Sequence, residues 1–261
     1  MNERGLAPAP PDLPAAYRLE RVASLPSTSD ACMERARAGA PDGLAILAEN
    51  QTAGRGSRGR QWVCPPGNLY LSVLLRPRNH FEEAGAGQWA LLAGVALVET
   101  LALFAASPEA LMLKWPNDVL SDGAKLAGIL VDAAMTVDAG SDWLVVGVGA
   151  NLASAPVIEG RQVAALVTPD GVPAPAEEVA KVFLTNLERW RGVLAIAGFA
   201  PIRDAWLEHA HPLGTAVSVK DALRTRTGVF AGLSVRGELL LSSGDAIHTI
   251  STGDVLLGQR N

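Results

Sequence analysis

The segment from Leu111 to Leu152, LMLKWPNDVLSDGAKLAGILVDAAMTVDAGSDWLVVGVGANL, decides the fold that we predict. Three apolar runs in it have the composition of strands, namely LMLKWPNDVL (111–120), KLAGILVDAAM (125–135) and WLVVGVGANL (143–152). Turn residues separate them: Pro116-Asn117-Asp118, Ser121-Asp122-Gly123 and the stretch 138–142. Strands this close along the chain predict neighbours in one sheet.

The segments on either side extend and cover this sheet. YRLERVAS (17–24), LAILAEN (44–50) and NLYLSVLLRP (68–77) predict further strands. A helix capped by Ser27, Thr28 or Ser29 is expected to end at Gly39, and an apolar helix covers 89–106. Helical patterns return from about Pro175. The order of elements predicts an α+β fold, a mixed sheet flanked by helices.

The C-terminal part has a different pattern. GTAVSVKD, RTGVFAGLSV, GELLLSS and DAIHTIST are short β runs divided by Gly, Ser and Asp, which is typical of a small barrel. The N-terminus is rich in Pro and Ala and lacks a signal peptide's apolar core. We therefore divide the chain into a disordered tail (1–16), a main domain (17–212) and a small β domain (213–261).

Composition excludes several classes of function. The 261 residues are 49% hydrophobic, which suffices for a core, and the net charge of -5 argues against a broad nucleic-acid surface. The two cysteines and four histidines have no metal-ligand spacing. Glu99 and Thr100 interrupt the most apolar segment, so a buried helix is expected there and no membrane span. The prediction is a cytoplasmic protein without a structural metal.

A cationic loop, ENQTAGRGSRGRQW (49–62), stands out against the acidic total charge. Glycines let backbone N–H groups approach an anion closely, and arginines match phosphate or carboxylate with a planar fork. The loop lacks the GK[ST] of a Walker P-loop and does not match a Rossmann fingerprint. By itself it predicts either an anion site or a solvated basic turn.

Three further motifs carry candidate chemistry. KWPND combines a cation (Lys114), an amide (Asn117) and a carboxylate (Asp118), a set that can bind a nucleotide and its magnesium, although an ordinary hairpin turn has the same composition. Lys125 opens an apolar strand, either as a surface lysine or as a cation that stabilises a transition state. In GVGANL, two glycines leave room for a flat ring beside Asn151, or form a bulge.

Taken together and in this order, these motifs resemble those of the biotin protein ligases. The resemblance runs from STSD (27–30) through QTAGRGSRGRQW, GNLYLSVLLRP, KWPNDVL and KLAGIL to GVGANL (147–152). The C-terminal β segment is similar to the small SH3-like domain of that family. The resemblance implies a class II synthetase-like catalytic domain that converts biotin and ATP to biotinyl-5′-AMP and pyrophosphate. Biotin then passes to one lysine of a biotin carboxyl carrier domain of acetyl-CoA carboxylase or a related carboxylase.

The resemblance also implies a role for individual residues. Biotin contacts are implied for Ser27, Thr28, Gln51, Gly54, Arg55, Lys125 and Gly128. Nucleotide contacts are implied for Arg58, Arg60, Lys114, Asn117 and Asn151. The catalytic set is Lys125, Arg55 and Asp118, with Asp118 also a candidate Mg²⁺ ligand. Trp62 is expected to pack the exit of the loop against the fold.

The sequence departs from the family pattern at two places. No helix-turn-helix precedes Tyr17, so we expect a monofunctional ligase that does not bind DNA. Ser57 occupies the position of an arginine that orders the family's loop over the intermediate, which bears on retention of biotinyl-AMP. Glycines and charge predict a loop that is disordered without ligand and closes on biotin. Family members often pair through the central sheet, which implies a homodimer.

Three other functions are compatible with single features of the sequence. A lipoate–protein ligase shares the adenylation chemistry, but the chain has no Arg-Arg-x-Ser-Gly-Gly-Gly run. A non-catalytic anion-binding module would not need Lys114, Asp118 and Lys125 together. Nucleic-acid binding through the arginine loop is disfavoured by the acidic total charge.

Overall fold

The computed structural model describes residues 12–76, 85–134, 143–220 and 224–257. The strands are β1 (Arg18–Leu25), β2 (Leu44–Gln51), β3 (Leu69–Leu75), β4 (Leu111–Lys114), β5 (Asp118–Ser121), β6 (Ala124–Ala134), β7 (Trp143–Ala150), β8 (Ala216–Lys220), β9 (Thr225–Leu233), β10 (Leu239–Ser243), β11 (Ala246–Ile250) and β12 (Asp254–Leu257). The helices are α1 (Thr28–Arg37), α2 (Ala86–Ala102), α3 (Ala176–Ala197) and α4 (Ala200–Glu208). Most of the predicted tail, residues 1–11, lies outside the described part.

The main sheet has seven strands in the order β1-β2-β3-β7-β6-β5-β4. β1 and β2 are parallel and the other pairs are antiparallel, which confirms the predicted mixed sheet. The run LMLKWPNDVL forms two strands, because the chain turns between Lys114 and Asp118. Asp118 therefore begins β5 and is not a turn residue.

The helices follow the expected pattern. Ser27 caps α1, and its Oγ accepts a hydrogen bond from the Asp30 backbone N–H at 3.3 Å. α2 is buried over most of its length against β4–β7 and α3, as predicted for a core helix. Within the described ranges, no helix combines the length and apolarity that crossing a bilayer requires.

The C-terminal sheet has five antiparallel strands in the order β11-β10-β9-β8-β12. Its inner face joins the core of the main domain, where Trp206 of α4 meets Phe230 of β9 edge to face at 6.5 Å between ring centroids. Trp115 Nε1 donates a hydrogen bond to the Gly237 carbonyl at 3.0 Å. The small sheet is thus docked on the main domain through a shared apolar interface.

We predict that this interface contributes measurably to stability. Gly237 and Gly244 both have positive φ (80° and 60°), but only Gly237 faces a neighbour, since a Cβ there would lie 2.6 Å from Leu91 Cδ1. Both alanine variants carry the cost of a left-handed backbone. Gly237→Ala is expected to lose about 1–3 kcal/mol more, because it also overpacks the interface.

Urea unfolding of Gly237→Ala beside Gly244→Ala measures that difference. Equal losses of unfolding free energy in the two variants would contradict a tightly docked C-terminal sheet.

Candidate active site

The Gly/Arg loop forms a short hairpin. Arg55 and Gln61 are bridged, the Gly56 N–H donates to the Arg60 carbonyl at 2.7 Å, and the Trp62 N–H donates to the Gly54 carbonyl at 2.9 Å. A 3₁₀ turn over Ser57–Gly59 forms the tip. The loop therefore has a hydrogen-bonded backbone in this structure, and its disorder without ligand stays a prediction.

Carboxylates from distant parts of the chain hold the loop in this conformation. Arg55 forms a two-pronged ion pair with Asp132 at 3.1 Å and also reaches Asp30 at 3.0 Å. Arg58 and Arg60 both pair with Asp254, at 2.8 and 3.2 Å. The positive charge of the loop is thus largely neutralised by protein carboxylates, and the catalytic role of Arg55 stays a prediction.

Trp62 packs the exit of the loop onto the sheet, as predicted. A Cβ atom added to Gly149 would lie 2.6 Å from Cε2 of Trp62, so the flat ring for which Gly149 leaves room is the protein's own indole. Gly147 likewise leaves room for Ser29, whose Oγ would lie 2.6 Å from an added Cβ. Both glycines are therefore explained by close approach of the protein's own side chains, and both also line the first cleft described below.

The first cleft lies between the loop, the start of α1 and strands β6 and β7, with a volume of about 460 Å³ including its mouth. Its inner end is polar. Gln51 Oε1 accepts from the Thr28 backbone N–H at 2.8 Å, and Ser72 Oγ lies 2.7 Å from Thr28 Oγ1 and 3.0 Å from Ser29 Oγ. This buried set of hydroxyls and amides can both donate to and accept from a small polar group.

Lys125 is the cation at the other end of this cleft. Its Nζ donates to Asp118 Oδ1 at 2.5 Å, and Lys114 Nζ lies 3.2 Å from Asp118 Oδ2. Burial raises the pKa of Asp118, but the two ammonium groups outweigh burial and hold that pKa below its ordinary value. Asp118 is therefore ionised and anchors Lys125 beside the Trp62 ring, whose centroid is 5.4 Å from Nζ.

A second cleft of about 550 Å³ adjoins the first and shares Gly56, Ser57, Trp62 and Lys125 with it. Its wall is mostly apolar, with Ile158 and Val163 opposite Trp62. Asn151 also lines it: Nδ2 donates to the Ala164 carbonyl at 2.9 Å, while the buried Oδ1 has no protein partner among the described residues. An acceptor left free in this way suits a ligand N–H group.

The clefts divide the predicted site residues into three groups. Ser27, Thr28, Gln51, Arg55, Asn117, Lys125 and Gly128 line the first cleft. Arg60, Lys125 and Asn151 line the second. Gly54, Arg58, Lys114 and Asp118 line neither.

Four of the predicted contacts differ from the cleft linings and stay predictions. At Gly54, within the loop, an added Cβ would lie 2.6 Å from the Trp62 carbonyl oxygen. Arg58 lines a groove on the outer face of the loop. Lys114 reaches Asp118 and the Val255 carbonyl instead of a cleft. Asn117 lies on the first cleft and not on the second, because its Nδ2 is bound to the Ile129 carbonyl at 2.6 Å.

Ser72 and Arg161 are polar lining residues that were not singled out from the sequence. Ser72 is fully buried in the otherwise apolar strand β3, and that polar interruption was a detectable sign of a site. Arg161 lines the second cleft from a segment that follows GVGANL without regular secondary structure. This segment runs beside β6, with Lys125 N–H donating to the Gln162 carbonyl at 2.9 Å.

The residues present do not fit a magnesium ion held by the protein. Both oxygens of Asp118, the predicted ligand, are taken by ammonium groups. Among the described residues, no Asp or Glu lines either cleft, and none of the His, Cys, Asp and Glu side chains gather in threes or more as a metal would need. Oxygen-rich ligand sets are what Mg²⁺ prefers.

The comparisons with known proteins agree with this geometry. Residues 22–151 match the biotin/lipoate A/B protein ligase family. The chain is 36% identical to a biotin–[acetyl-CoA-carboxylase] ligase from Paracoccus denitrificans, over 82% of this chain and 90% of that protein. The chain belongs to the biotin protein ligase family. A ligase of the same name from Mycobacterium tuberculosis is 33% identical over 92% of this chain and 88% of its own length.

Solved structures extend the match through the C-terminal sheet of this ligase. A biotin protein ligase from Aquifex aeolicus in complex with biotin and ATP superposes with a TM-score of 0.75 at 25% identity, covering 93% of this chain and 99% of that one. The α+β fold with a second small β sheet is thus the fold of the family.

We predict that Asp118 stabilises the ligase by holding its two lysines. Asp118→Asn is expected to lower the free energy of unfolding by about 2–3 kcal/mol at neutral pH, because two ammonium groups lose their counter-ion. The loss should begin to shrink as the pH falls below about 4, where the carboxyl of the unfolded chain is protonated first, and should disappear only when the pH also falls through the lowered pKa of the native carboxyl.

Asp122→Asn is the matched control: it lies in the next turn, is exposed, and has no ion pair among the described residues. Denaturant unfolding from pH 3 to pH 8 measures the effect. A loss in Asp118→Asn that does not change with pH would rule out the ion pairs as its cause.

Proposed function

We propose that the chain activates biotin with ATP to biotinyl-5′-AMP, releasing pyrophosphate, and transfers biotin to a lysine of an acceptor protein. The observation that carries this proposal is the pair of adjoining clefts that meet at Lys125 and Trp62. A ligand joined from an acyl part and a nucleotide part needs two such compartments with one cation at their junction.

The first cleft suits biotin. Its polar inner end, built from Thr28, Gln51 and Ser72, offers donors and acceptors at short range for a ureido ring. The start of α1 adds the positive end of a helix dipole to the same wall. The carboxylate of a ligand seated this way would point towards Lys125.

The second cleft suits the adenosine part of ATP. The Trp62, Ile158 and Val163 side chains provide an apolar wall for a flat base. The unpaired Oδ1 of Asn151 supplies an acceptor for an exocyclic amine. Arg161 adds positive charge at the rim, where phosphate groups would lie, beside Arg60, whose charge is paired with Asp254.

The chemistry follows from bringing two anions together. A biotin carboxylate oxygen attacks the α-phosphorus of ATP, a phosphorus–oxygen bond forms, and pyrophosphate leaves with the electron pair of the broken bond. The Lys125 ammonium offsets charge on both reactants at the junction. Asp118 keeps that ammonium in position, and this role replaces the metal-ligand role that we expected for it.

In the second half-reaction an acceptor lysine amine attacks the anhydride carbonyl and AMP leaves. No Asp, Glu or His among the described residues lines either cleft, so the proton of the amine passes to solvent or to the leaving phosphate. Because the relatives are named for acetyl-CoA carboxylase, we propose a biotin carboxyl carrier domain as acceptor. The homodimer stays a prediction; β1 and β4 are the edge strands of the main sheet, and Leu113 of β4 already donates its N–H to the His209 carbonyl at 2.7 Å.

Titration calorimetry and a pyrophosphate assay test the proposed reaction. We expect tight binding of biotin, release of pyrophosphate only with biotin and ATP together, and biotin transfer to a carrier-domain lysine. Lipoate is the control substrate, because the matched family also contains lipoate–protein ligases. Pyrophosphate release with lipoate and not with biotin would overturn the assignment.

We predict that Lys125 acts mainly in the transition state. Lys125→Gln should lower kcat for pyrophosphate release by about 10²–10³-fold, because a preorganised cation is lost at the reacting groups, while biotin affinity changes by less than about tenfold. Lys181→Gln, on α3 and paired with Glu177 at 3.0 Å, is the control and should leave kcat unchanged. A fall in biotin affinity as large as the fall in kcat would mean that Lys125 only binds substrate.

A further inference from the structure

The start of β12 in the C-terminal sheet touches the loop that roofs the two clefts. Asp254 Oδ2 lies 2.8 Å from Arg58 Nη1, and Asp254 Oδ1 lies 3.2 Å from Arg60 Nη2. One carboxylate therefore joins two arginines of the loop to a sheet almost 200 residues further along the chain. These are the ion pairs that cross from the C-terminal sheet to the loop in the described part of the chain.

The backbone around Asp254 is held firmly. Asp254 pairs with Lys220 of β8, and the next residue, Val255, is buried in the shared core. The Val255 carbonyl accepts a hydrogen bond from Lys114 Nζ at 3.3 Å, and Lys114 pairs with Asp118. The same two residues of β12 thus contact both the loop and the lysine cluster behind Lys125.

Arg58 and Arg60 are arranged to meet this carboxylate. Arg58 has φ of 59°, a left-handed backbone that costs a non-glycine residue energy, and its side chain reaches Asp254 from there. Arg60 bends back over the tip, where Nε donates to the Ser57 carbonyl at 3.1 Å and Nη2 to Ser57 Oγ at 2.9 Å. The serine that replaces the family's arginine thereby orients Arg60 towards Asp254.

We propose that Asp254 is a positioning residue that holds the Gly/Arg loop closed over the junction of the clefts, so that the C-terminal sheet controls retention of the acyl-adenylate. The proposal rests on the proposed function for the identity of the retained intermediate. Arg55 ties the near side of the loop to Asp30 and Asp132, and Asp254 ties its far side. Breaking the far tie leaves the loop attached at one side only.

The size of the effect follows from exposure. The three side chains are about 35–42% exposed, so each ion pair is weak, and salt screens it. Loss of both pairs is expected to raise the population of the open loop about 3- to 10-fold without unfolding the sheet. A small shift of this kind matters because an acyl-adenylate that escapes reacts with water or with any amine.

Limited trypsin digestion of the full chain, without ligand, tests whether the ion pairs of Asp254 hold the loop closed. Asp254→Asn should raise the rate of cleavage after Arg58 and Arg60 about 3- to 10-fold, and Asp254→Glu should restore most of the protection. Asp245→Asn, a carboxylate on the same sheet without an ion pair among the described residues, should leave the rate unchanged. Cleavage after Arg236, in the turn between β9 and β10, reports on the sheet itself.

Retention is measured in a second arm, with biotin and ATP and no acceptor. After one turnover and rapid gel filtration, Asp254→Asn should release several-fold more adenylate than the wild type, with the rate of pyrophosphate formation within about twofold. Unchanged loop cleavage and unchanged release would overturn the proposal. So would equal rises at Arg236 and in the loop, which would mean that the sheet unfolds. If the wild type forms no pyrophosphate, the proposed function is wrong. The digestion still tests whether the ion pairs of Asp254 hold the loop closed.

Discussion

The carboxylate of Asp118 binds two lysine ammonium groups at once, and the geometry of the whole site depends on that contact. Lys125 would otherwise be a flexible surface cation at the end of a strand. With Asp118 on one side and the Trp62 ring on the other, its Nζ stays at the line where the two clefts meet. Lys114, the second partner, connects this pair to the C-terminal sheet through the Val255 carbonyl.

The cationic loop obeys the same principle of paired charge. Each of its three arginines contacts a carboxylate from another part of the fold: α1 and β6 for Arg55, and β12 for Arg58 and Arg60. The loop therefore contributes backbone shape and a covering ring, Trp62, more than free positive charge. The clefts are also lined by two cations from outside the loop, Lys125, which pairs with Asp118, and Arg161.

Patterns along the chain predicted the strands, the buried helix and the order of the motifs, because apolar periodicity and turn residues are local properties. The resemblance to the biotin protein ligases implied ligand contacts for Thr28, Gln51, Lys125 and Asn151, which line the clefts. Patterns along the chain did not predict the ties of the loop, since Asp132 and Asp254 are 77 and 194 residues from the arginines that they bind. The contact of Gly149 could not be predicted for the same reason: only the folded chain shows that Trp62 occupies the space of its missing side chain.

The central claim is that one ligand spans both clefts and meets Lys125 at their junction. A crystal structure of the chain with a non-hydrolysable analogue of biotinyl-5′-AMP tests this most directly. The account predicts the ureido ring beside Thr28, Gln51 and Ser72, the adenine beside Asn151 in the second cleft, and Lys125 Nζ within hydrogen-bond distance of the linkage. An analogue bound with its adenine in the first cleft, or with Lys125 turned away from the linkage, would contradict it.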